Sequence, residues 1–204
     1  RTEGISSSQI RTEESRLRLG LVGEMAFIEK YKRESDFVNG VVVTAAYTNN
    51  IKLAQRYIKS GIKVVEDYQD FLKIVDAVYI ASLPEEHFIQ VKLALECGKH
   101  VLCEAPMVLK KEMCSYLINL ANKNKVILME AIKTAYSTAY HRLLLLVKSG
   151  RIGNVVSVDA TCTSLSDYKN MSVESILKSQ NSMCAWGPTG LLPVFQLLGV
   201  DYEK

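Results

Sequence analysis

The first candidate for chemistry is a glycine-bearing turn, Gly20-Leu21-Val22-Gly23-Glu24-Met25-Ala26-Phe27-Ile28, at the end of an apolar run. In a turn that cradles a pyrophosphate, one glycine permits the tight bend and a second lets backbone amides approach the phosphates. A third allows the helix to pack on the strand. Gly23 fills the first place, while Met25 and Ile28 stand at the second and third. Met25 puts a side chain where phosphate oxygens meet bare amides, and Glu24 adds negative charge beside them. The plainer reading is a strand-to-helix turn that holds no phosphate. After the second apolar run, Thr48-Asn49-Asn50 offers neither a carboxylate for a ribose diol nor an arginine for a 2′-phosphate.

Other constellations are weaker. Cys97-x₂-His100-x₂-Cys103 has a metal-ligand spacing. Cys97, however, ends a helical pattern, while His100 and Cys103 fall on opposite faces of a strand, so no metal is expected. Glu66, Asp67 and Asp70 precede a helix and suit its positive end. The 3 histidines lie on unrelated elements and support no Ser/His/Asp set. Asn170-Met171-Ser172 fits a glycosylation sequon without any sign of secretion. Trp186, beside Gly187 and Pro188, suits either a pocket floor or a core.

These groups need a scaffold, and the composition supplies an ordinary globular one. The chain has 204 residues, 48% apolar and 23% charged, enough for one to two domains with a sizeable core. That excludes collagen, wholesale disorder and a disulfide mini-protein. A net charge of +3 argues against a nucleic-acid partner. The apolar run Leu143–Val147 is far short of the ~20 residues that span a bilayer. Five cysteines, an odd number, fit free thiols in a reducing cytosol, so a cytoplasmic protein is expected. Residues 1–16 mix both charges with Ser6-Ser7-Ser8 and read as a tail or linker, with no secretory leader. The start at Arg1 points to a junction with something upstream.

From Leu17, strand-like runs alternate with helical patterns. Strands are expected at Leu17–Val22, Val41–Tyr47, Ala77–Ala81, His100–Cys103 and Val126–Met129; they are short, rich in Val and Ile, and apolar on both faces. Helices are expected at Ile51–Ser60, Pro84–Cys97 and Lys110–Asn122, the first two followed by Gly61 and Gly98 as C-terminal stops. This rhythm predicts right-handed βαβ units in a doubly wound parallel α/β sheet. Beyond Ile132 it changes: a Leu-rich helix at Ala139–Ser149, a half-exposed strand at Val155–Thr161, a polar loop and a helix at Leu191–Leu198. One strand makes no stable sheet, so this second α/β domain is expected to be truncated, with the first domain spanning 17–131 and the second 132–204.

The stretch from Asp76-Ala77-Val78-Tyr79-Ile80-Ala81 through Gly98-Lys99-His100-Val101-Leu102-Cys103-Glu104-Ala105-Pro106 resembles the Gfo/Idh/MocA oxidoreductases. The match continues through Leu128-Met129-Glu130-Ala131 and Ser149-Gly150-Arg151-Ile152-Gly153-Asn154-Val155, and runs from Leu17 to about Val200. The resemblance implies a Rossmann domain binding NAD or NADP, then a domain whose open sheet shapes a sugar or polyol site and often an oligomer interface. It also implies site residues. Ser82 sits where the loop after the fourth strand touches the cofactor, His87 at the histidine near the next helix start, and Glu104 at the carboxylate on the nicotinamide side. With Gly23, Glu24 and Met25 these form the expected cofactor-binding set. The plainer readings are that Ser82 and His87 cap a helix and that Glu104 braces a turn.

The residues that do the family's chemistry are replaced. The Glu-Lys-Pro lysine is Ala105. Counting from Gly187 and Leu197-Leu198-Gly199, the Asp and His/Tyr places hold Ala185 and Thr189; the aromatic-Arg pair is Thr134-Ala135. Losing a positioned acid/base typically costs ~10²–10⁴ in rate. The expected function is therefore a homologue that has lost catalysis and binds a nucleotide or sugar, or serves as a scaffolding domain in a homo-oligomer or a longer protein. The alternative is an active NAD(P)-dependent oxidoreductase on a sugar or polyol, with Tyr136 or Tyr140 as acid.

Overall fold

The computed structural model describes residues 16–24, 28–163 and 182–201. The expected tail up to residue 15, Met25 and the 170–172 sequon lie outside the described residues. Two compact units divide the chain, the first ending at Met129 and the second beginning at Glu130.

Six strands build the first unit: β1 (Leu17–Gly23), β2 (Val41–Tyr47), β3 (Lys63–Val64), β4 (Ala77–Ala81), β5 (His100–Cys103) and β6 (Leu128–Glu130). They form a parallel sheet in the order β3-β2-β1-β4-β5-β6. This is a doubly wound Rossmann-type sheet, with the order reversing between β1 and β4. Five helices connect the strands: α1 (Ile28–Ser35), α2 (Ile51–Lys59), α3 (Tyr68–Lys73), α4 (Pro84–Glu96) and α5 (Lys111–Asn124).

Alternation along β4 explains how the layers form. Val78 and Ile80 join Phe71 of α3, Val91 and Leu95 of α4 and Leu117 of α5 in one buried core. Successive residues point to opposite faces, so Tyr79 faces the other side, where Tyr31 of α1 stacks on it at 4.0 Å. Gly20 lies under Phe71 and Val75. A Cβ there would come within 2.8 Å of the Phe71 ring and 2.9 Å of a Val75 methyl, so this strand position has room only for hydrogen. The β1/β2 register shifts at the same place, between Leu19 and Gly20.

Local chemistry starts the helices. Asn50 accepts from the Leu53 amide at 3.1 Å and caps α2. Asp67 accepts from the Asp70 amide at 2.8 Å and caps α3, as first-turn acids favour.

The second unit holds a 3₁₀ turn (Lys133–Tyr136), α6 (Thr138–Lys148) and α7 (Ser182–Leu198). Ser137 caps α6 by accepting from the Tyr140 amide at 3.1 Å, and the Tyr140 hydroxyl donates to Gln196 of α7 at 2.6 Å. Two expectations change here. Val155–Thr161 has no regular structure, because no described segment pairs with it and a strand exists only through its ladder. The helix expected at Leu191–Leu198 begins at Ser182 and runs through Pro188 and Pro193, residues that read locally as breakers. The Leu-rich face of α6 leaves Leu143, Leu145 and Leu146 exposed.

At the amino edge of the sheet, Asp76 takes Arg18 in a two-pronged grip, Nε to Oδ2 at 3.0 Å and Nη2 to Oδ1 at 2.6 Å. It also accepts the Arg18 amide at 2.9 Å. The side-chain bond to Arg18 is the main cause that lowers the Asp76 carboxyl to about 2. Both side chains are more than a third exposed, so solvent screening limits the pair to at most about 1 kcal/mol. A depressed carboxyl stabilises above its unfolded value, near ~3.9, and loses that contribution as pH falls through its folded value. Asp76→Asn is therefore expected to lower urea-unfolding stability by up to about 1 kcal/mol at neutral pH, the gap closing between pH ~4 and ~2. A gap unchanged across that range would contradict the assignment.

Candidate functional site

In an open α/β sheet, ligands lie beyond the carboxyl ends of the strands where the order reverses. Here that point lies between β1 and β4, and Gly23 ends β1 with φ +114°. A Cβ on Gly23 would overlap the Ala81 carbonyl and the Ser82 amide. The glycine is therefore demanded by the approach of β1 to β4, which is the tight-turn role. Glu24 follows it, exposed.

Ser82 and His87 are each 1% exposed. The Ser82 hydroxyl donates to Gln90 Oε1 at 2.5 Å, and Gln90 Nε2 donates to Glu86 at 3.3 Å. Both His87 ring nitrogens face carbonyl oxygens, Nδ1 that of Pro106 at 2.9 Å and Nε2 that of Ser82 at 3.1 Å. A neutral imidazole has one N–H and donates to one of them. The ring thereby ties the loop after β4 to the loop after β5. Neither residue caps α4, whose N-cap is Leu83 with no side-chain bond.

Glu104 is half-buried, and its amide donates to the Ile80 carbonyl at 2.9 Å. Its carboxylate accepts the hydroxyl of Tyr79. Burial first, then this hydrogen bond, raises the Tyr79 pKa; burial first, then the Glu104 charge, raises that of Tyr31. Glu104 thus heads a phenol stack that sequence reading missed. One signal was available: Tyr79 carries the only side-chain hydroxyl of an otherwise apolar strand, and a buried phenol seeks a partner. Tyr31 gave none, because its contact depends on where α1 lies.

Gly23, Ser82, His87 and Glu104 therefore gather at one edge of the sheet. Ala105 follows Glu104 in the same loop and brings no titratable group. Ala185 and Thr189 lie one turn apart on α7, both half-buried. Trp186 between them is 41% exposed, so it is not a core residue. The two candidate acids are both engaged. Tyr136 donates to the Glu130 carbonyl at 2.8 Å, and Tyr140, 8% exposed, donates to Gln196. Burial raises both phenols, with the Glu130 charge adding to Tyr136.

Beside the edge, beyond β2, a cleft of about 390 Å³ opens. Tyr47 and Asn49 line it from β2 and its loop, Tyr68 from α3, and Glu85, Glu86 and Ile89 from α4. It joins apolar surface to two carboxylates and contains no cation among its described lining residues. Among the described residues no three His, Cys, Asp or Glu side chains are grouped to hold a metal, and no helix is long and apolar enough to cross a membrane.

Residues 17–132 match the sequence profile of the Gfo/Idh/MocA oxidoreductase family with its NAD-binding Rossmann fold. The chain belongs to this family. D-xylose 1-dehydrogenase (NADP⁺) of Hypocrea jecorina is 31% identical over 130 residues, 60% of this chain and 33% of that enzyme. The NADP⁺-dependent scyllo-inositol 2-dehydrogenase of Bacillus subtilis is 28% identical over 62% of this chain and 40% of its own. A solved NAD-binding protein of Listeria innocua superposes with a TM-score of 0.69 at 20% identity, over 91% of this chain and 55% of its own. The chain thus spans roughly a third to a half of the length of these proteins.

Two substitutions test the edge. Gly23→Ala is expected to lose about 2–5 kcal/mol of unfolding free energy, from backbone strain and overlap with β4. Tyr79→Phe is expected to lose about 1–3 kcal/mol by leaving the Glu104 carboxylate without its donor. Chemical denaturation reads both, and a neutral Tyr79→Phe would show that the phenol does not anchor Glu104.

Proposed function

We propose that this chain is a Gfo/Idh/MocA homologue that has lost hydride-transfer catalysis and acts as a nucleotide- or sugar-ligand-binding or scaffolding domain. The observation that carries this reading is Ala105. It occupies the loop position where family members place the lysine acid/base, and its methyl group can neither donate nor accept a proton. Ala185 and Thr189 extend the loss to the second unit. The engagement of Glu104 by Tyr79 and of His87 by two carbonyls supports it further, since both are used within the fold.

Of the ligand classes, a dinucleotide has most support. Gly23, Glu24, Met25, Ser82, His87 and Glu104 are the residues proposed to border it, with its adenosine half in the cleft between Asn49 and Glu85–Glu86. When bound, such a cofactor supplies a hydride acceptor or donor. Glu85 and Glu86 would accept from ribose hydroxyls and repel a 2′-phosphate, favouring NAD(H) over NADP(H). A second reading, an active oxidoreductase on a sugar or polyol, would use Tyr136, a 50% exposed phenol, as its proton donor.

Thermal melting with NADH and NADPH, followed by turnover assays on a sugar and polyol panel, separates these readings. A ligand at ~100 times its Kd stabilises by ~2.7 kcal/mol, a shift of several degrees. The proposal expects a larger shift with NADH than with NADPH and no turnover. Turnover that disappears in Tyr136→Phe would establish the second reading. No shift with either nucleotide would remove the dinucleotide and leave the sugar-binding and scaffolding roles.

A further inference from the structure

Between α1 and β2 the chain makes a tight turn that the dinucleotide reading does not use, and it holds Asn39 followed by Gly40. No other asparagine of the chain precedes a glycine. Gly40 has φ +85°, close to the left-handed value that a type II turn needs at its third residue and that glycine takes without strain. Asn39 is exposed, and its side chain makes no hydrogen bond with a described residue. The Gly40 amide likewise donates to no described acceptor. Its carbonyl is engaged, accepting the Leu17 amide at 2.8 Å at the start of the β1/β2 ladder, where Leu17 lies opposite Val41.

We propose that Asn39 is a modification site, at which the chain converts its own asparagine to isoaspartate and thereby loosens the start of the β1/β2 pairing. The Gly40 amide nitrogen, as its conjugate base, attacks the side-chain carbonyl carbon of Asn39. The new N–Cγ bond closes a five-membered imide, and the Cγ–Nδ2 bond breaks. Nδ2 leaves as ammonia, taking up the proton that the Gly40 amide gave up. One water then opens the imide. Opening at Cγ gives aspartate, and opening at the main-chain carbonyl gives isoaspartate, in which Cβ and Cγ carry the backbone. Water is the only co-reactant.

The surroundings favour this reaction at Asn39 over other asparagines. Hydrogen as the only side chain of Gly40 leaves the approach to its nitrogen open, and neither reacting group must first leave a partner. Asn124, by contrast, lies in α5 and donates to the Leu95 carbonyl at 2.8 Å, and Asn50 accepts from the Leu53 amide as a cap. The plainer account is that Asn-Gly is a turn-forming pair and nothing more. The two accounts differ in what ageing does. Isoaspartate inserts one extra main-chain carbon just before the Gly40 carbonyl that the Leu17 amide needs, and it adds a negative charge.

Ageing the full chain at physiological temperature and mildly alkaline pH tests the proposal. The intact mass is expected to rise by the difference between a carboxylic acid and an amide, and faster as pH rises, because the attacking amide is deprotonated. Peptide mapping should place the change at Asn39, and an isoaspartyl carboxyl methyltransferase should label that peptide. Asn39→Gln, which would have to close a six-membered ring, should keep its mass over the same period, with circular dichroism checking that the fold is kept. The Leu17 amide should exchange with solvent faster in the aged chain than in the fresh one. Asn39→Asp, which adds the charge without the extra carbon, should exchange as the fresh chain does. An unchanged Asn39 peptide, or equally fast conversion of the peptides holding Asn122 and Asn124, would overturn the modification site. Unaltered Leu17 exchange in the isoaspartyl form, or equal acceleration in Asn39→Asp, would overturn its effect on the strand pairing. The outcome is independent of whether the chain binds a dinucleotide or turns over a polyol.

Discussion

The close approach of two backbones, β1 at Gly23 and β4 at Ala81–Ser82, sets the geometry of the carboxyl edge. With hydrogen as its only side chain, Gly23 lets the end of β1 lie against the β4 carbonyl and the next amide. From that contact the polar architecture extends outward. The Ser82 carbonyl meets His87, and His87 reaches the Pro106 carbonyl, so the loops after β4 and β5 are joined by one buried ring. The same loop after β5 carries Glu104 back to Tyr79 on β4. A larger residue at position 23 would push β4 away and loosen each of these links in turn.

This arrangement bears directly on chemistry. Groups that look available in the sequence, a serine, a histidine and a glutamate, are occupied in holding the loops together. Buried polar groups have little alternative, because leaving one unpaired in the interior costs about 1–3 kcal/mol. Ala105, Ala185 and Thr189, the residues that the resemblance matches to the family's chemical positions, make no comparable demand on their surroundings.

Most of the fold was legible from residue patterns. Val41–Tyr47, Ala77–Ala81 and His100–Cys103 are strands with the expected limits, and α2, α4, α5 and α6 lie within a residue or two of expectation. Short strands with continuous apolar character carry a signal that needs no partner to be read. The failures came where structure depends on a partner or on tolerance of a breaker. Val155–Thr161 alternates like a strand yet has no described neighbour to pair with. The α7 helix passes through Pro188 and Pro193, which local preference alone would treat as ends. The two-residue strand β3 is too short to show any period.

The amino-acid sequence by itself determined the α/β rhythm, the reversal into a doubly wound sheet and membership of the Gfo/Idh/MocA family, because periodicity and motif spacing are local properties. It also offered, by resemblance, the places where the family's chemical residues would stand, Ala105, Ala185 and Thr189, since that requires only reading residue types in register. The tertiary structure decided what the remaining polar groups do. Glu104 meets Tyr79 across 25 residues, and Asp76 meets Arg18 across 58. Such pairings depend on how strands and helices are laid side by side, and no repeat of 2 or 3.6 residues contains that information.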